Sequence, residues 1–299
     1  MKRRCKYQIW LSIILIYLVG CSTHDDFPVL KGPYLGQKMP GLTPEIFAQG
    51  IVSTKDHFEV GCSFSPDGNE FYFSRTDSLS WDSGCSIMVS RLKDGRWTLP
   101  EKIAFTNRYV DAAPHVTSDG EKMFFLRFHR SDTHIPSGIW FVNKIDNQWG
   151  NPQYLLAGTY PTTTIDGTLY FAHYSEKGDR ALFKSRYVNG KYMEQEILGG
   201  EINTPYFENH PFIASDESFI IFDSDRDCAH PGTQEKVDLY VCFRNKDGLW
   251  GKVISFGENL GKQDKNCAYV SPDGKFLFYA SEGNIYWVSA QLIEALREE

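Results

Sequence analysis

The chain repeats one unit five times, and each copy places a tight turn before an aromatic run. The five turns read Ser65-Pro66-Asp67-Gly68, Thr117-Ser118-Asp119-Gly120, Thr164-Ile165-Asp166-Gly167, Ala214-Ser215-Asp216-Glu217 and Ser271-Pro272-Asp273-Gly274. Their aspartates lie 52, 47, 50 and 57 residues apart. A period near 50 with strand-like content is typical of propeller blades rather than of helical repeats.

Each copy reads as four short strands. In the first copy these are 58–64, 70–74, 86–92 and 96–105, where Pro66 sets φ for the first turn and Lys93-Asp94-Gly95 forms a primed hairpin. Aromatic residues make up 15% of the 299 residues, and there are 25 Gly and 14 Pro. That composition favours many short strands joined by tight turns, so we predict one all-β domain over residues 42–299.

The fifth copy lacks a fourth strand, because the chain runs into residues 290–299, where we expect a short amphipathic helix. Residues 43–47 parallel residues 99–103 of the first copy. We expect this N-terminal strand to pair with residues 285–289, which would close the ring and cover an open edge. The prediction is a β-propeller of five four-stranded blades. Six blades are the alternative, but residues 42–57 cannot supply four more strands.

The N-terminus carries four basic residues before an eleven-residue apolar run, Ile9 to Val19. This run is too short to span a bilayer and predicts an export signal over residues 1–20. Leu18-Val19-Gly20-Cys21 resembles a bacterial lipobox, which implies cleavage before Cys21 and its acylation; a secretory signal with a chance cysteine is the alternative. Residues 21–41, rich in Gly and Pro, are expected to form a flexible tether.

Net charge and cysteine content limit the classes of partner and cofactor that we expect for this protein. The formal net charge is −7, and removal of residues 1–20 takes away four positive charges and no negative one, which leaves −11. This acidity argues against nucleic acid, so membrane contact is expected through the lipid anchor. The mature cysteines lack metal-ligand spacing, and we expect no cofactor, no metal and mostly buried thiols, with an odd number leaving one free or intermolecular. These are Cys62, Cys85, Cys228, Cys242 and Cys267.

The repeats resemble the TolB-like, WD-repeat-like β-propeller family. The matching stretches are Phe64 to Phe73, His210 to Val241 and Val270 to Phe278, and the resemblance covers roughly residues 42–290. Members of that family include periplasmic binding and scaffold proteins, peptidase-associated propellers and a few polysaccharide lyases. The resemblance is therefore specific for the fold and much less specific for an activity. Ser22 and the Asp25-Asp26 pair resemble signals for the outer membrane or cell surface, facing the periplasm or the exterior.

One end of the channel is the predicted binding rim. Residues eight before and eight after each turn aspartate should share a face, and acids, arginines and histidines gather there. Two interpretations are open: a ligand-binding rim, or structural ion pairs between neighbouring blades. The candidate binding residues are Glu59, Arg75, Asp111, Arg127, His173, Glu208, His210 and Arg226.

The turn aspartates themselves should accept local backbone hydrogen bonds. No nucleophile elbow, Walker loop or His-Glu-x-x-His motif occurs in the sequence. His115, His210 and His230 are the only histidines that we weigh as metal ligands, by analogy with propeller lyases.

Three functions follow as hypotheses. The leading one is a non-enzymatic, lipid-anchored envelope module that binds a glycan, peptide or protein partner. The alternative is a carbohydrate-active enzyme, a lyase or hydrolase, that uses Glu208, His210 and Arg226. The third is a structural envelope protein whose blades contact another subunit.

Overall fold

The computed structural model describes residues 30–105, 109–128, 135–176, 178–227 and 236–297. The predicted export signal, Cys21, Cys228 and His230 lie outside these residues. Within these ranges, no helix is long and apolar enough to cross a membrane.

The strands form five antiparallel sheets arranged as a five-bladed β-propeller, as predicted. A short strand β1 (Glu45–Ile46) precedes the blades. Blade 1 contains β2 (Glu59–Phe64), β3 (Glu70–Thr76), β4 (Cys85–Lys93), β5 (Arg96–Trp97) and β6 (Glu101–Lys102); blade 2 contains β7 (Val110–Val116), β8 (Lys122–Phe128), β9 (Gly138–Ile145), β10 (Gln148–Trp149) and β11 (Gln153–Leu156).

Blade 3 contains β12 (Thr159–Thr163), β13 (Leu169–Tyr174), β14 (Arg180–Ser185) and β17 (Glu196–Ile197), with a separate hairpin of β15 (Tyr187–Val188) and β16 (Lys191–Tyr192). Blade 4 contains β18 (Glu208–Ile213), β19 (Phe219–Ser224), β20 (Asp238–Arg244) and β21 (Trp250–Ser255). Blade 5 contains β22 (Asn266–Val270), β23 (Phe276–Ser281) and β24 (Asn284–Ser289), followed by the expected helix α1 (Gln291–Arg297).

The N-terminal strand closes the ring. In the antiparallel pairing of β1 with β24, Glu45 lies opposite Trp287 and Ile46 opposite Tyr286. The Phe47 amide extends this contact by donating to the carbonyl of Ile285 at 2.8 Å. The first and last parts of the domain are thus held in one sheet, as expected from the missing fourth strand of the fifth copy.

The segment before β1 is a correction to the sequence-based prediction. We expected a tether up to residue 41, but residues from Leu30 onward already pack on blades 1 and 5. Tyr34 and Leu35 are buried in the same cluster as Phe64 and Phe278. The Trp97 indole donates to the carbonyl of Gly32 at 2.8 Å. These few apolar side chains outweigh the Gly and Pro content, because each finds a preformed aromatic surface.

Apolar clusters fill the spaces between the blades. Aromatic residues of the third strands are buried there: Trp140 lies between blades 1 and 2, Tyr240 between blades 3 and 4, and Trp287 between blades 5 and 1. The space between blades 2 and 3 holds the smallest cluster, with only four buried residues. This interface therefore contains the fewest buried apolar residues of the five.

A chain of hydrogen bonds joins the innermost strands at the turn end of the channel. The residue four positions before the turn aspartate accepts from a backbone amide of the next blade in four of the five interfaces. The acceptors are Ser63 from Val116, His115 from Thr163, Thr162 from Ile213 and Tyr269 from Phe64. Between blades 4 and 5 the position is Phe212, which instead packs its ring edge against Tyr269.

The turn aspartates make the expected local contacts. Asp67 Oδ1 accepts from the Ser65 hydroxyl and from the Asn69 amide, and Asp273 repeats the pattern with Ser271 and Lys275. Cys62, Cys85, Cys242 and Cys267 are free and buried in strands, which confirms that prediction for the cysteines in the described ranges.

Candidate functional site

The central channel is narrow in its middle, which leaves only about 50 Å³, and widens toward both ends. A cavity of about 450 Å³ lies at the turn end. A second cavity, of about 280 Å³, lies at the wide end of the channel, where first strands start and second strands finish. Residues of all five blades line this wide-end cavity, most of them apolar. It lies at the end of the channel where the sequence predicted a binding rim.

Each first strand bulges at the same place, six residues before its turn aspartate. The five bulge residues all have positive φ, and they are Gly61, Ala113, Tyr160, His210 and Cys267. Every one of them lines both the narrow middle and the wide-end cavity. Only glycine adopts this conformation at no steric cost, so the larger side chains at four positions are held there by the fold.

Around the cavity, blade 1 shows how the predicted rim residues are used. Arg75 Nε lies 2.9 Å from Glu59, its partner in the antiparallel register. The same guanidinium donates to the carbonyls of Ile51 and Val52, in the segment that enters the blade. Thr54 donates its amide and its hydroxyl to the Glu59 carboxylate. The pair therefore fastens the entering segment to the blade.

Blades 2 and 4 repeat this arrangement. Arg127 contacts both oxygens of Asp111 at 2.7 Å and donates to the carbonyl of Phe105. Arg226 lies 3.1 Å from Glu208 and donates to the carbonyls of Glu201 and Ile202. These ion pairs form between adjacent strands of one blade, not between neighbouring blades as the structural interpretation had it. The cross-strand register, with residues eight before and eight after the turn directly opposite, is as predicted.

All three carboxylates are fully buried. Burial raises the pKa of Glu59, Asp111 and Glu208, while the arginines and, for both glutamates, the threonine hydrogen bonds act in the opposite direction. These three carboxylates therefore make their ion pairs and hydrogen bonds with groups of the chain itself.

Blades 3 and 5 depart from this pattern. The blade 3 positions are Gly158 and Tyr174, and the rim is tied instead by Arg180, which donates to Asn209 of blade 4. In blade 5 the acid is replaced by buried Lys265, which lies 3.1 Å from Asp238 and donates to two carbonyls of its own entering segment. The same anchoring is achieved with the charge reversed.

His173 and His210, the two candidate histidines, have different surroundings. His173 packs near the rings of Tyr174 and Phe183 and does not line the wide-end cavity; burial and then Arg180 lower its pKa. His210 does line it, and is the one member of the eight-residue rim prediction that does.

His210 is held on two sides. Its Nδ1 lies 2.7 Å from Oδ1 of Asp223, a fully buried residue on the adjacent strand. Its ring packs on Tyr160 with centroids 3.7 Å apart. Because a carboxylate only accepts, a neutral His210 donates from Nδ1 and keeps the Nε2 lone pair as an acceptor. The side chain is thus fixed in both tautomer and orientation.

Two buried acceptor atoms beside this histidine have no hydrogen-bond partner among the described residues: Asp223 Oδ2 and Asn266 Oδ1. Unpaired buried acceptors are costly and uncommon in folded proteins. Asp223 also acts on its surroundings. Burial first and then the Asp223 charge raise the pKa of Cys267, and for Tyr160 the Asp223 charge adds to a rise caused first by burial and then by Cys267. Asp223 does not itself line the cavity, so its acceptor lies behind the wall that contains His210.

Of the histidines weighed as metal ligands, His115 and His210 both line the narrow middle of the channel, and His230 lies outside the described residues. His115 lies at the turn end, where its Nε2 accepts from the Thr163 amide at 2.9 Å, and burial lowers its pKa to about 4. Nowhere in the part of the chain that the structure describes do three or more His, Cys, Asp or Glu residues form a group that could hold a metal ion.

Sequence reasoning singled out His210 but missed Asp223, Tyr160 and Asn266. Asp223 follows the aromatic run in the second strand of blade 4. A polar residue follows that run in other copies too, Ser74 in the first and Arg127 in the second. Tyr160 and His210 share one signal, because each directly precedes a proline in a first strand, as Ala113 does.

Comparisons with known proteins give structural likeness only. No family model matches the sequence, and no curated protein is significantly similar. Solved structures that are similar include a putative TolB from Agrobacterium tumefaciens (TM-score 0.49, 15% identity, 75% of this chain and 69% of that one). TolB from Acinetobacter baumannii is also similar, with a TM-score of 0.46 and 14% identity over 77% of this chain and 53% of that one. The chain therefore spans about half of that protein's length.

A gluconolactonase from Xanthomonas campestris is similar over 86% of this chain and 97% of that one, with a TM-score of 0.45 and 10% identity. TolB proteins are thus among the similar structures, in keeping with the TolB-like repeats of the sequence. At these identities the likeness is one of fold.

Proposed function

We propose that the protein is a binding module of the bacterial cell envelope that takes a glycan at the wide end of its channel. The observation that carries this proposal is the cavity to which all five blades contribute. It combines apolar walls with a few polar groups, of which His210 is the most firmly oriented. That combination is typical of small-molecule sites.

Aromatic side chains at the edge of the cavity favour a sugar ring as the ligand. Trp81 and Phe128 line it and are 54% and 38% exposed. Flat aromatic faces pack against apolar ring faces, while His210 offers an acceptor for a hydroxyl group. A peptide or a protein partner is the competing ligand class.

The proposal is tested by a glycan array followed by titration calorimetry of the hits. We expect Trp81→Ala and His210→Ala each to weaken binding about tenfold or more, which corresponds to about 1.4 kcal/mol. Leu249→Ala, which truncates an exposed residue on the outer hairpin of blade 4, is the control and should bind normally. Hits that bind all three variants equally well would place the ligand elsewhere, and an array without hits would favour a peptide or protein partner.

A second candidate function rests on the His210–Asp223 pair. A histidine held by a carboxylate can act as a general base through Nε2, so a carbohydrate-active enzyme is the alternative. Glu208 and Arg226, which that hypothesis also invoked, hold backbone carbonyls and the Thr204 hydroxyl instead. Turnover of array hits that His210→Gln abolishes would support the enzyme; binding without any product would support the module.

Location at the outer membrane or cell surface is part of the same proposal. It rests on the basic and apolar residues before Cys21 and on the lipobox-like residues around it. Labelling of the mature protein with a fatty-acid analogue should be lost in Cys21→Ser. Undiminished labelling in that variant, or none in the original chain, would contradict the anchor.

A further inference from the structure

A large cleft opens on the side of the propeller, between blades 2 and 3. Its volume is about 860 Å³, and it is lined by the outer strands of blade 2 and the separate hairpin of blade 3. The cleft lies outside the channel and shares no lining residue with the wide-end cavity. It opens at the interface that holds the smallest apolar cluster.

The hairpin β15–β16 forms one wall because it leaves its own sheet. The hairpins of blades 1 and 2 continue their third strands, whereas β15 and β16 pair only with each other. Tyr192 packs its ring against Phe124 of blade 2, and Tyr187 packs on Gly167 so closely that an added Cβ there would lie 3.2 Å from its ring. The wall is therefore anchored on both blades.

Lys122 forms the floor of the cleft and gives it a charged group with which a ligand can interact. Its Nζ lies 5.6, 5.1 and 5.4 Å from the ring centroids of Phe124, Phe141 and Tyr187. No carboxylate of the described residues forms an ion pair with it. Burial lowers the pKa of this ammonium, and Asp119 opposes the shift.

The local charge is positive although the protein is acidic. Lys191 is a second lysine on the cleft wall, and Glu194 is the single acidic residue among the lining residues. Two lysines against one glutamate make the cleft complementary to an anionic group. The partly desolvated ammonium at the floor gives that group a stronger attraction than a surface lysine would.

The other residues that line the cleft favour a sugar over a peptide as its ligand. Three side-chain amides, Asn143, Gln153 and Gln195, face the cleft beside the Tyr187 and Tyr192 rings, whose centroids are 4.8 Å apart. Amides donate and accept at once, which suits vicinal hydroxyls, and the rings suit an apolar sugar face. The edge strand β11 could pair with a peptide, but it is four residues long and irregular at Tyr154 and Leu156.

We propose that this cleft between blades 2 and 3 is a binding site for an acidic saccharide, whose carboxylate contacts the Lys122 ammonium. The site does not depend on a ligand in the channel. Lys122 selects the charge, the amides bind hydroxyls and the hairpin tyrosines cover one face of a sugar ring.

The test uses the full-length protein and a panel of uronate-containing tetrasaccharides, each paired with the same tetrasaccharide after reduction of its carboxyl groups to alcohols. We expect at least one acid form to bind at least tenfold more tightly than its reduced partner by titration calorimetry. Lys122→Met should remove that preference, and Lys122→Arg should retain it. Lys252→Met, which removes an exposed lysine outside the cleft, is the matched control and should behave like the original chain.

Two further variants separate this site from the channel. His210→Ala should leave binding of the acid form unchanged, because His210 lies in the channel. Lys122→Met should leave binding of channel ligands unchanged. Thermal melting of each variant shows whether it is folded.

Several results would overturn the proposal. One is equal binding, or no binding, of the acid and reduced forms across the panel. Another is a Lys122→Met variant that melts lower but keeps the preference, which would make Lys122 a structural link between the blades. Preference for an acidic tetrapeptide such as tetraglutamate over every acid saccharide would assign the cleft to a peptide instead.

Discussion

The two ends of the channel are held by different chemistry. At the wide end, blades 1, 2 and 4 each bury a carboxylate against an arginine that also holds the segment entering the blade. At the turn end, neutral side chains such as Ser63 and Thr162 accept single amide hydrogen bonds from the next blade. Charge is thus concentrated at the end where His210 lines the cavity.

This difference teaches which polar groups remain for a ligand. The ion pairs of the wide end have their hydrogen-bonding capacity committed to the linkers, so most of the predicted rim serves the fold. His210 is different, because it lines the cavity and its contact with Asp223 uses only Nδ1 of the imidazole. A charged end is also the more costly to disrupt, since a buried charge without its partner is destabilising.

The largest expected effect comes from breaking the blade 2 ion pair. Arg127→Gln would leave the fully buried Asp111 carboxylate without a countercharge, and we expect the free energy of unfolding to fall by about 3–5 kcal/mol. Urea denaturation measures it. Arg186→Gln is the matched control, because Arg186 pairs with Glu196 on the surface and should cost about 0.5 kcal/mol.

A double variant sharpens this test. Asp111→Asn combined with Arg127→Gln removes both charges, so it should be more stable than Arg127→Gln alone. A loss below about 1 kcal/mol in Arg127→Gln would show that the wide end is not held by its charges.

The sequence predicted the fold because the information is local and repeated. A turn such as Ser65-Pro66-Asp67-Gly68 sets the reversal between two strands, so counting eight residues either way gives cross-strand partners, as Glu59 and Arg75 show. The same counting located the missing strand of blade 5, which β1 supplies.

The pairing of His210 with Asp223 could not be predicted in this way. It depends on a bulge that shifts the register between Asn209 and Phe212. The bulge residues Gly61, Ala113, Tyr160, His210 and Cys267 share a backbone conformation but no side-chain chemistry, so residue type does not reveal them. The docking of Tyr34 was missed for a similar reason, because its binding surface exists only once blades 1 and 5 have met.

An intermediate effect is expected at the turn end when the pH falls. Burial lowers the pKa of His115 from 6.5 to about 4, so below pH 6.5 the unfolded chain takes up a proton that the folded chain does not. Stability is therefore lost as the pH falls from 6.5 to 4, by about 2 kcal/mol at pH 5 for this one group. Urea denaturation at pH 7 and pH 5 measures the loss.

His115→Gln keeps an acceptor for the Thr163 amide without a group that titrates in this range. The variant should therefore lose about 2 kcal/mol less than the original chain between pH 7 and pH 5. The same loss in both proteins would mean that His115 takes up its proton in the folded state, and that the turn end does not depend on its neutral form.

The smallest expected effect concerns two turns of identical sequence at the turn end of the channel. Asp67 and Asp273 both sit in Ser-Pro-Asp-Gly turns, but only Asp273 receives a hydrogen bond from Tyr34, at 2.6 Å. Burial alone would raise the Asp273 pKa, yet hydrogen bonds from Tyr34 first, then from Lys275 and Ser271, lower it to about 2. A lowered carboxyl pKa stabilises the fold above the ordinary value of 3.8 and ceases to do so as the pH falls toward 2.

Tyr34→Phe should therefore raise the pKa of Asp273 and leave that of Asp67 unchanged, as followed by NMR titration of the two carboxyl groups. Because 37% of the Asp273 side chain is exposed, solvent screens the interaction, and we expect a stability loss of no more than about 1 kcal/mol at pH 7. An Asp273 titration that does not move would show that Lys275 and Ser271 suffice, and that residues 30–41 do not dock on this turn in solution. If it moves while Asp67 stays fixed, the N-terminal segment docks on the blade 5 turn and accounts for this difference between the two matched turns.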